Sequence, residues 1–296
     1  MPSEFQSWLA CVSIEKGWSS FMTEEVTYYC GEHVFLSFLK NKELWLTSLS
    51  QSNDSAEGKW MREYWLDLFL KDGSSAKRLA RRGAEMCMDT ASHDRMALGV
   101  CFSEERDLLS QWRGYADDGA GFSITFSREV LEAVAQDHSA RRLHLAKIAY
   151  GYQDFDEINA IVRGLHDAFG EDAQLYREAN GAGSLSLDFG PNGEKHAKYE
   201  EAAKSLFTAK NGAFREEKEW RLFTYGSISS IDGVKLRGTG KAISPYLPVS
   251  IPAEAVTQVI LGPINQTPRH VLEFALKSNG LSDVSIRAST ASYQAR

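Results

Sequence analysis

Acidic and basic side chains are closely spaced within an apolar segment late in the chain. The segment contains Lys210, Glu217, Glu219 and Arg221. Because side chains alternate along a strand, Glu219 and Arg221 would share one face, with Trp220 on the other. Charged groups in such a segment are costly unless they are paired or face a cleft. A glutamate in a cleft can bind a ribose hydroxyl and stabilise positive charge at an anomeric carbon; a solvated ion pair on an edge strand is the alternative.

Two strands joined by a short helix form a second candidate, nearer the N-terminal end. Tyr28 and Tyr29 lie in the first strand, 34–39 has a helical pattern, and 44–48 is a strand that ends in hydroxyl residues. In this order the elements could line a cleft with Tyr29 and Ser48. A core aromatic pair followed by a polar strand end is the alternative.

Asn53 and Asp54 precede a predicted amphipathic helix at 58–70. Asn and Asp at a helix start accept hydrogen bonds from free backbone N–H groups, and an acid there complements the helix dipole. Capping alone therefore explains these two residues and Glu57. A metal site is the weaker interpretation, because neither a histidine nor a second acidic cluster lies near them in the sequence.

Trp112 and Tyr115 follow the segment Cys101-Phe102-Ser103 and stand one turn apart in a predicted helix. Residues at this spacing share a helix face. The two rings could form a wall on which a nicotinamide or a base stacks. Anchoring of the helix to the core is the alternative, above all for Trp112. The following Gly119-x-Gly121 opens a strand and lacks a third glycine, so it does not match the dinucleotide-binding fingerprint.

The composition is that of a globular protein, with 296 residues, 43% of them hydrophobic, and a net charge of −7. No apolar run approaches the roughly 20 residues that cross a bilayer, so we expect no membrane segment. Because the net charge is negative, nucleic acid could be bound only through a local basic patch. The four cysteines are scattered without a C-x-x-C pair, which favours a reducing, cytoplasmic location.

Strand and helix patterns are mixed without a regular βαβ alternation. This favours a single α+β domain over 1–296, with its core at about 25–293 and a mixed or antiparallel central sheet flanked by helices. The predicted strands are 44–48, 97–102, 121–126, 143–150, 219–225, 256–261 and 284–288. The predicted longer helices are 58–70, 154–169, 194–210 and 267–280. The segment 180–193 is rich in Gly, Ser and Asn and is predicted to be a loop.

Taken in order, these segments resemble a bacterial domain family of unknown function. Its pattern runs from an aromatic strand through F-N-D-P-x-E, C-F-S, W-x-x-Y and a Gly-led strand to K-x-x-x-W-x-x-E-x-E-W-R. The matching positions here are Asn53, Asp54, Glu57, Cys101, Phe102, Ser103, Trp112, Tyr115, Gly121, Ile124, Phe126, Lys210, Glu217, Glu219, Trp220 and Arg221. Ser52, Ser55 and Phe214 depart from the pattern, which affects loop shape more than chemistry.

The layout of that family is similar to that of ADP-ribosyltransferase-like toxins. This resemblance implies NAD as the substrate, with no metal required. It implies that Glu219 is the catalytic carboxylate, which polarises a hydroxyl of the nicotinamide ribose, with Glu217 as an accompanying catalytic acid. Tyr29 would occupy the first motif position and Ser48 the second.

The same resemblance implies a set of NAD-binding residues. Tyr115 or Trp112 would hold the nicotinamide, and Arg221 or Lys210 would hold the diphosphate. The remaining candidates for NAD binding are Asn53 and Asp54.

The resemblance also implies a biological role and partners. Such enzymes act as toxins in bacterial toxin–antitoxin or anti-phage systems, so the acceptor of ADP-ribose would be a protein, RNA or DNA. A neutralising antitoxin protein would be a further partner.

Two other classes of function stay open. A metal-dependent nuclease could use four acidic residues, namely Asp54, Glu57, Glu217 and Glu219. A non-enzymatic sensor could use the helix at 58–70 as a partner surface.

Overall fold

The computed structural model describes residues 24–49, 95–138, 141–151, 156, 207–240 and 242–293. Its strands are β1 (Glu25–Cys30), β2 (Glu43–Ser48), β3 (Arg95–Ser103), β4 (Phe122–Ser127), β5 (His144–Lys147), β6 (Ala149–Tyr150), β7 (Ala209–Lys210), β8 (Glu219–Ser227), β9 (Lys235–Gly238), β10 (Ile243–Ser250), β11 (Val256–Leu261) and β12 (Ser285–Ala288). Its α-helices are α1 (Glu32–Asn41), α2 (Leu109–Tyr115), α3 (Arg128–Asp137) and α4 (Arg269–Ser278). Short 3₁₀ turns lie at Asp117–Gly119, Gly212–Glu217 and Ala253–Ala255.

Ten of these strands form one central sheet. Its main path runs β12-β11-β4-β1-β3-β2-β10-β9, and β8 pairs with β3 and β5. All pairings in this sheet are antiparallel except that between β11 and β12. The predicted α+β class with a mostly antiparallel central sheet is therefore confirmed. A separate parallel pair, β6 and β7, lies beside it.

Strand β3 has a different set of neighbours on each edge. On one edge it pairs with β8 from Arg95 to Ser103. On the other edge it meets β1 only at Ser103, opposite Thr27, and meets β2 only around Gly99. Consequently β1 and β2 separate from each other beside β3, and the chain crosses between them through α1.

Helix α1 covers part of the core through one apolar face. Phe35, Phe38 and Leu39 are buried, at the i, i+3 and i+4 spacing of an amphipathic helix. Phe35 stacks on Phe122 of β4 with 4.1 Å between ring centroids, and Phe38 meets Phe126 edge-on at 5.6 Å. Burial of each such ring stabilises the fold by about 2–3 kcal/mol.

Several predicted elements differ from the observed ones. The strand predicted at 143–150 is divided into β5 and β6. Of the helix predicted at 194–210, only 207–210 lie within the described residues, and these are not helical, because Ala209–Lys210 form β7. The helix predicted at 267–280 is observed as Arg269–Ser278. Its N-cap residue, Pro268, makes no side-chain capping hydrogen bond. Strands β9 and β10 and helix α3 were not predicted.

Other predictions fall outside the described residues. These are the helix at 58–70, nearly all of that at 154–169, the loop at 180–193, and the candidates Asn53, Asp54 and Glu57. Within the described ranges, no helix is long and apolar enough to cross a membrane.

Candidate functional site

Glu219 is the first residue of β8, and its carboxylate is held between two cations. The side chain is buried, with the residue 3% exposed. Oε1 accepts a hydrogen bond from Nε of Arg221 at 2.5 Å, and Oε2 accepts one from Nζ of Lys210 at 3.1 Å. Nζ of Lys210 also donates to Oε2 of Glu217 at 2.6 Å. These four residues form an ion cluster of two acids and two bases.

Neighbouring elements determine where each member of the ion cluster lies. Lys210 ends β7, which pairs with β6, so its position depends on Ala149–Tyr150. The 3₁₀ turn Gly212–Glu217 and Lys218, whose φ of 43° is left-handed, return the chain so that Glu217 approaches Lys210. Arg221 then follows Glu219 by two residues on the same strand face.

Backbone groups around the ion cluster are also satisfied. The N–H of Glu219 donates to the hydroxyl of Tyr150 at 2.7 Å. Nη1 of Arg221 donates to the carbonyl of Phe207 at 2.9 Å, and the hydroxyl of Ser103 donates to the carbonyl of Glu217 at 2.6 Å. These bonds fix the backbone on which Glu219 and Glu217 stand and the guanidinium of Arg221.

The electrostatics of the ion cluster keep Glu219 ionised. Burial by itself raises the pKa of a carboxyl group. The charges and hydrogen bonds of Arg221, followed by Lys210, outweigh that effect and lower the pKa of Glu219 to about 2. Burial lowers the pKa of Lys210, but Glu219 and Glu217 raise it above its ordinary value, so the ammonium stays charged. Burial raises the pKa of Glu217, which Lys210 offsets only in part.

A cavity of about 550 Å³ lies where β1 and β2 separate beside β3. It is lined by α1, by the end of β1, by most of β2, by the second half of β3, by α2, by the ion cluster and by one residue of β9. The structure thus brings together seven of the predicted site residues, namely Tyr29, Ser48, Tyr115, Lys210, Glu217, Glu219 and Arg221.

Tyr29 lines this cavity, while its hydroxyl is bonded elsewhere. The hydroxyl donates to the carbonyl of Glu105 at 2.8 Å and accepts from the N–H of Leu108 at 2.9 Å. Its ring packs edge-on against Trp112 with 4.8 Å between centroids. Because the hydroxyl proton is already donated, Tyr29 can shape the cavity wall but has no proton to offer a ligand.

Trp112 does not line the cavity. It is completely buried, and its indole N–H donates to Oδ1 of Asp107 at 2.7 Å. The interpretation as a nicotinamide-binding wall is therefore wrong for Trp112, because its ring anchors α2 to the core. Tyr115, three residues later at the end of α2, is 43% exposed and does line the cavity.

The sequence reasoning missed one cationic lining residue, Arg237 on β9. Its strand was not predicted, although Gly238 and Gly240, where β9 leads into its partner β10, are a turn signal. Cys101 also lines the cavity and is hydrogen-bonded to Glu219. Cys101 is exposed.

The next question is whether the described part of the chain contains ligands for a metal ion. There, no group of three or more His, Cys, Asp or Glu residues is placed to hold a metal ion. Asp54 and Glu57, which the nuclease interpretation needs, lie outside that part.

Comparison with known proteins gives one match. Residues 111–222 match the family model described as "Protein of unknown function (DUF2971)". The DUF2971 match begins in α2 and ends in β8, so it contains Tyr115 and the whole ion cluster. It leaves out Tyr29, Ser48 and Arg237. No curated protein and no solved structure matches the chain.

Proposed function

We propose that this protein cleaves NAD and transfers ADP-ribose to a macromolecular acceptor. The observation that carries the proposal is the arrangement of Glu219, an ionised and oriented carboxylate, in one cavity with Tyr29, Ser48 and Tyr115. The cavity volume lies within the range of roughly 300–1,000 Å³ that is usual for small-ligand sites.

The proposed reaction breaks one bond and forms one bond. The bond between the anomeric carbon of the ribose and the nicotinamide nitrogen breaks, and its electron pair leaves with the neutral nicotinamide. A nucleophilic atom of the acceptor then bonds to the same carbon and loses its proton to the surrounding solvent. The anomeric carbon carries positive charge while the first bond loosens, and a fixed carboxylate beside the ribose stabilises that charge.

The geometry changes the roles proposed for the two cluster cations. Nε of Arg221 and Nζ of Lys210 already donate to carboxylates. We therefore assign both to orienting Glu219 and keeping it ionised, rather than to binding the diphosphate. The exposed ring of Tyr115 is the surface on which the nicotinamide stacks.

The biological role rests on the resemblance to ADP-ribosyltransferase-like toxins. It makes the protein an effector of a bacterial toxin–antitoxin or anti-phage system, with a neutralising antitoxin as partner. The acceptor class is tested by incubating the protein with labelled NAD and cell lysate, followed by separate nuclease and protease treatments. Label on neither polymer, with NAD left intact, would reject the proposal.

The decisive variant is Glu219→Gln, which keeps the shape of the side chain and removes its charge. We expect NAD cleavage to fall by about 100- to 1,000-fold, measured as release of free nicotinamide. The variant will also lose stability, on the order of 3–5 kcal/mol, because Arg221 and Lys210 stay buried without their shared anion.

A control of matched stability separates these two effects. Leu276 is buried in α4, outside the cavity lining, and Leu276→Ala should cost about 2–5 kcal/mol. We expect this variant to retain NAD cleavage at a temperature at which both variants are folded. Equal losses of cleavage in both variants, or full activity of Glu219→Gln, would contradict the assignment of Glu219.

A further inference from the structure

Arg237 supplies a cation to the cavity at a distance from the ion cluster. It lies on β9, whereas Glu219 lies on β8, and the sheet order β8-β3-β2-β10-β9 places four strand spacings between them. At about 4.8 Å per spacing, the two strands are separated by roughly 19 Å along the sheet. Both side chains nevertheless line the same cavity, so a ligand that fills it meets an arginine and a glutamate carried by different strands.

The guanidinium of Arg237 lies beside an aromatic ring, and one of its N–H groups lacks a hydrogen-bond acceptor. Its central carbon lies 5.8 Å from the ring centroid of Trp45, and that ring stacks on Tyr246 at 4.4 Å. Nε is buried and makes no hydrogen bond to any residue that the structure describes. A buried donor without an acceptor is unfavourable, and a guanidinium does not lose its proton at neutral pH.

The carboxylates that line the cavity do not neutralise Arg237. Glu217 and Glu219 are paired with Lys210 and Arg221. The third lining carboxylate, Glu43, forms no ion pair with Arg237, and neither does any other acid in the described ranges. The guanidinium is therefore a cation beside an aromatic ring, with no carboxylate partner among the described residues.

We propose that Arg237, which lines the same cavity as Glu219 but is carried by a different strand, binds the diphosphate of the nucleotide substrate. A planar guanidinium can donate two parallel hydrogen bonds to one phosphate group, which makes arginine well suited to this ligand. The proposal rests on the function proposed above, and it assigns the diphosphate to a residue outside the stretch that matches DUF2971.

Calorimetric titration with inorganic pyrophosphate, ADP-ribose and nicotinamide riboside tests this site. We expect the wild-type protein to bind all three, and Arg237→Met to weaken pyrophosphate and ADP-ribose binding by about tenfold or more. Nicotinamide riboside carries no phosphate, so its affinity should change less than twofold. The matched control is Arg269→Met, because Arg269 is an exposed residue of α4 paired with Glu273, and its affinities should equal those of wild type.

A second variant covers the case in which Arg237→Met does not fold. Arg237→Lys keeps the charge but loses the planar pair of donors, and it should bind pyrophosphate with intermediate affinity. Absence of pyrophosphate binding by the wild-type protein, unchanged pyrophosphate affinity in the Arg237 variants, or an equal loss for nicotinamide riboside would overturn the proposal.

The titrations also separate this proposal from the proposed function. Pyrophosphate binding that depends on Arg237, in a protein that leaves NAD intact, would reject the transferase and retain the anion site. If the protein cleaves NAD but its pyrophosphate binding does not depend on Arg237, the transferase is retained and the anion site at Arg237 is rejected.

Discussion

The charge of Glu219 is maintained by partners that are themselves buried. Arg221 is 1% exposed and Lys210 is 7% exposed. Removing such groups from water costs several kcal/mol per ion, and their mutual attraction repays this only when the geometry is good. The ion cluster is therefore poorly explained as a device for stability alone. Its effect is to keep one carboxylate ionised and pointed at a cavity.

The lowered pKa of Glu219 predicts how stability depends on pH. Its pKa is about 2 in the folded protein, against an ordinary value of 4.5. Ionised Glu219 therefore stabilises the fold above about pH 4.5, and this contribution disappears as the pH falls from 4.5 to 2. The full difference corresponds to about 3 kcal/mol. The raised pKa of Glu217 acts in the opposite direction, so the whole protein will show a smaller net change.

Urea unfolding of wild type and Glu219→Gln at several pH values isolates this contribution. We expect the difference in unfolding free energy between them to be constant above pH 5 and to shrink towards pH 2. A difference that does not vary between pH 5 and 2 would mean that Glu219 is not held ionised by its neighbours.

At the residue scale, the sequence predicts contacts within one strand and misses contacts between strands. Alternation along the strand predicted that Glu219 and Arg221 share a face, and their 2.5 Å ion pair confirms it. The contact of Lys210 with Glu219 depends on the turn between β7 and β8, which sequence spacing does not specify. The prediction for Trp112 failed for a different reason. Helical spacing indicates which residues share a face of the helix, but not whether that face packs on the core or lines a cavity.

At the scale of elements, the cavity exists because β1 and β2 do not pair with each other. Six of the predicted strands, at 44–48, 97–102, 121–126, 219–225, 256–261 and 284–288, correspond to single observed strands within a few residues. Their pairing partners could not be predicted, because hydrophobic alternation specifies a face and not a neighbour. Strand β10 was missed because Pro245 and Pro248 argue against a strand by pattern, yet β10 lies between β9 and β2.

Gly121 shows how closely the elements beside the cavity approach one another. It directly precedes β4, which pairs with the full length of β1. A Cβ added there would lie 2.3 Å from the carbonyl oxygen of Cys30 and 2.9 Å from backbone atoms of Ala116. Because backbone cannot rotate aside, Gly121→Ala should destabilise the protein by about 1–3 kcal/mol and disturb the wall formed by β1.

Gly114 in α2 provides the matched substitution for this prediction. A Cβ at Gly114 meets nothing within 4 Å, and alanine is the better helix former by about 0.5–1 kcal/mol. Denaturant unfolding should therefore show Gly121→Ala less stable than wild type and Gly114→Ala equally or more stable. Equal stability of the two variants would show that β1 and β4 can separate without cost.

At the scale of the whole molecule, the cavity gathers segments that are far apart in the sequence. Its lining comes from 28–49, 99–102, 111–115, 210–221 and 237. Composition and motif order indicated the candidate residues, but only strand pairing across these distances brings them to one place. Arg237, the lining cation that has no carboxylate partner in the described ranges, lies on a strand that the sequence patterns did not predict.

The charge balance of the assembled cavity predicts that NAD cleavage does not depend on a metal ion. Glu217 and Glu219 are neutralised by Lys210 and Arg221 from the same chain, so a divalent cation would have to displace these partners before binding there. We expect NAD cleavage after dialysis against EDTA to stay within twofold of the untreated rate, with no gain on adding Mg²⁺ or Mn²⁺. Loss of activity in EDTA that either ion restores would instead favour the nuclease interpretation, in which Asp54 and Glu57 join these two glutamates around a metal. Parallel assays of RNA and DNA hydrolysis with the same preparations would decide between the two reactions.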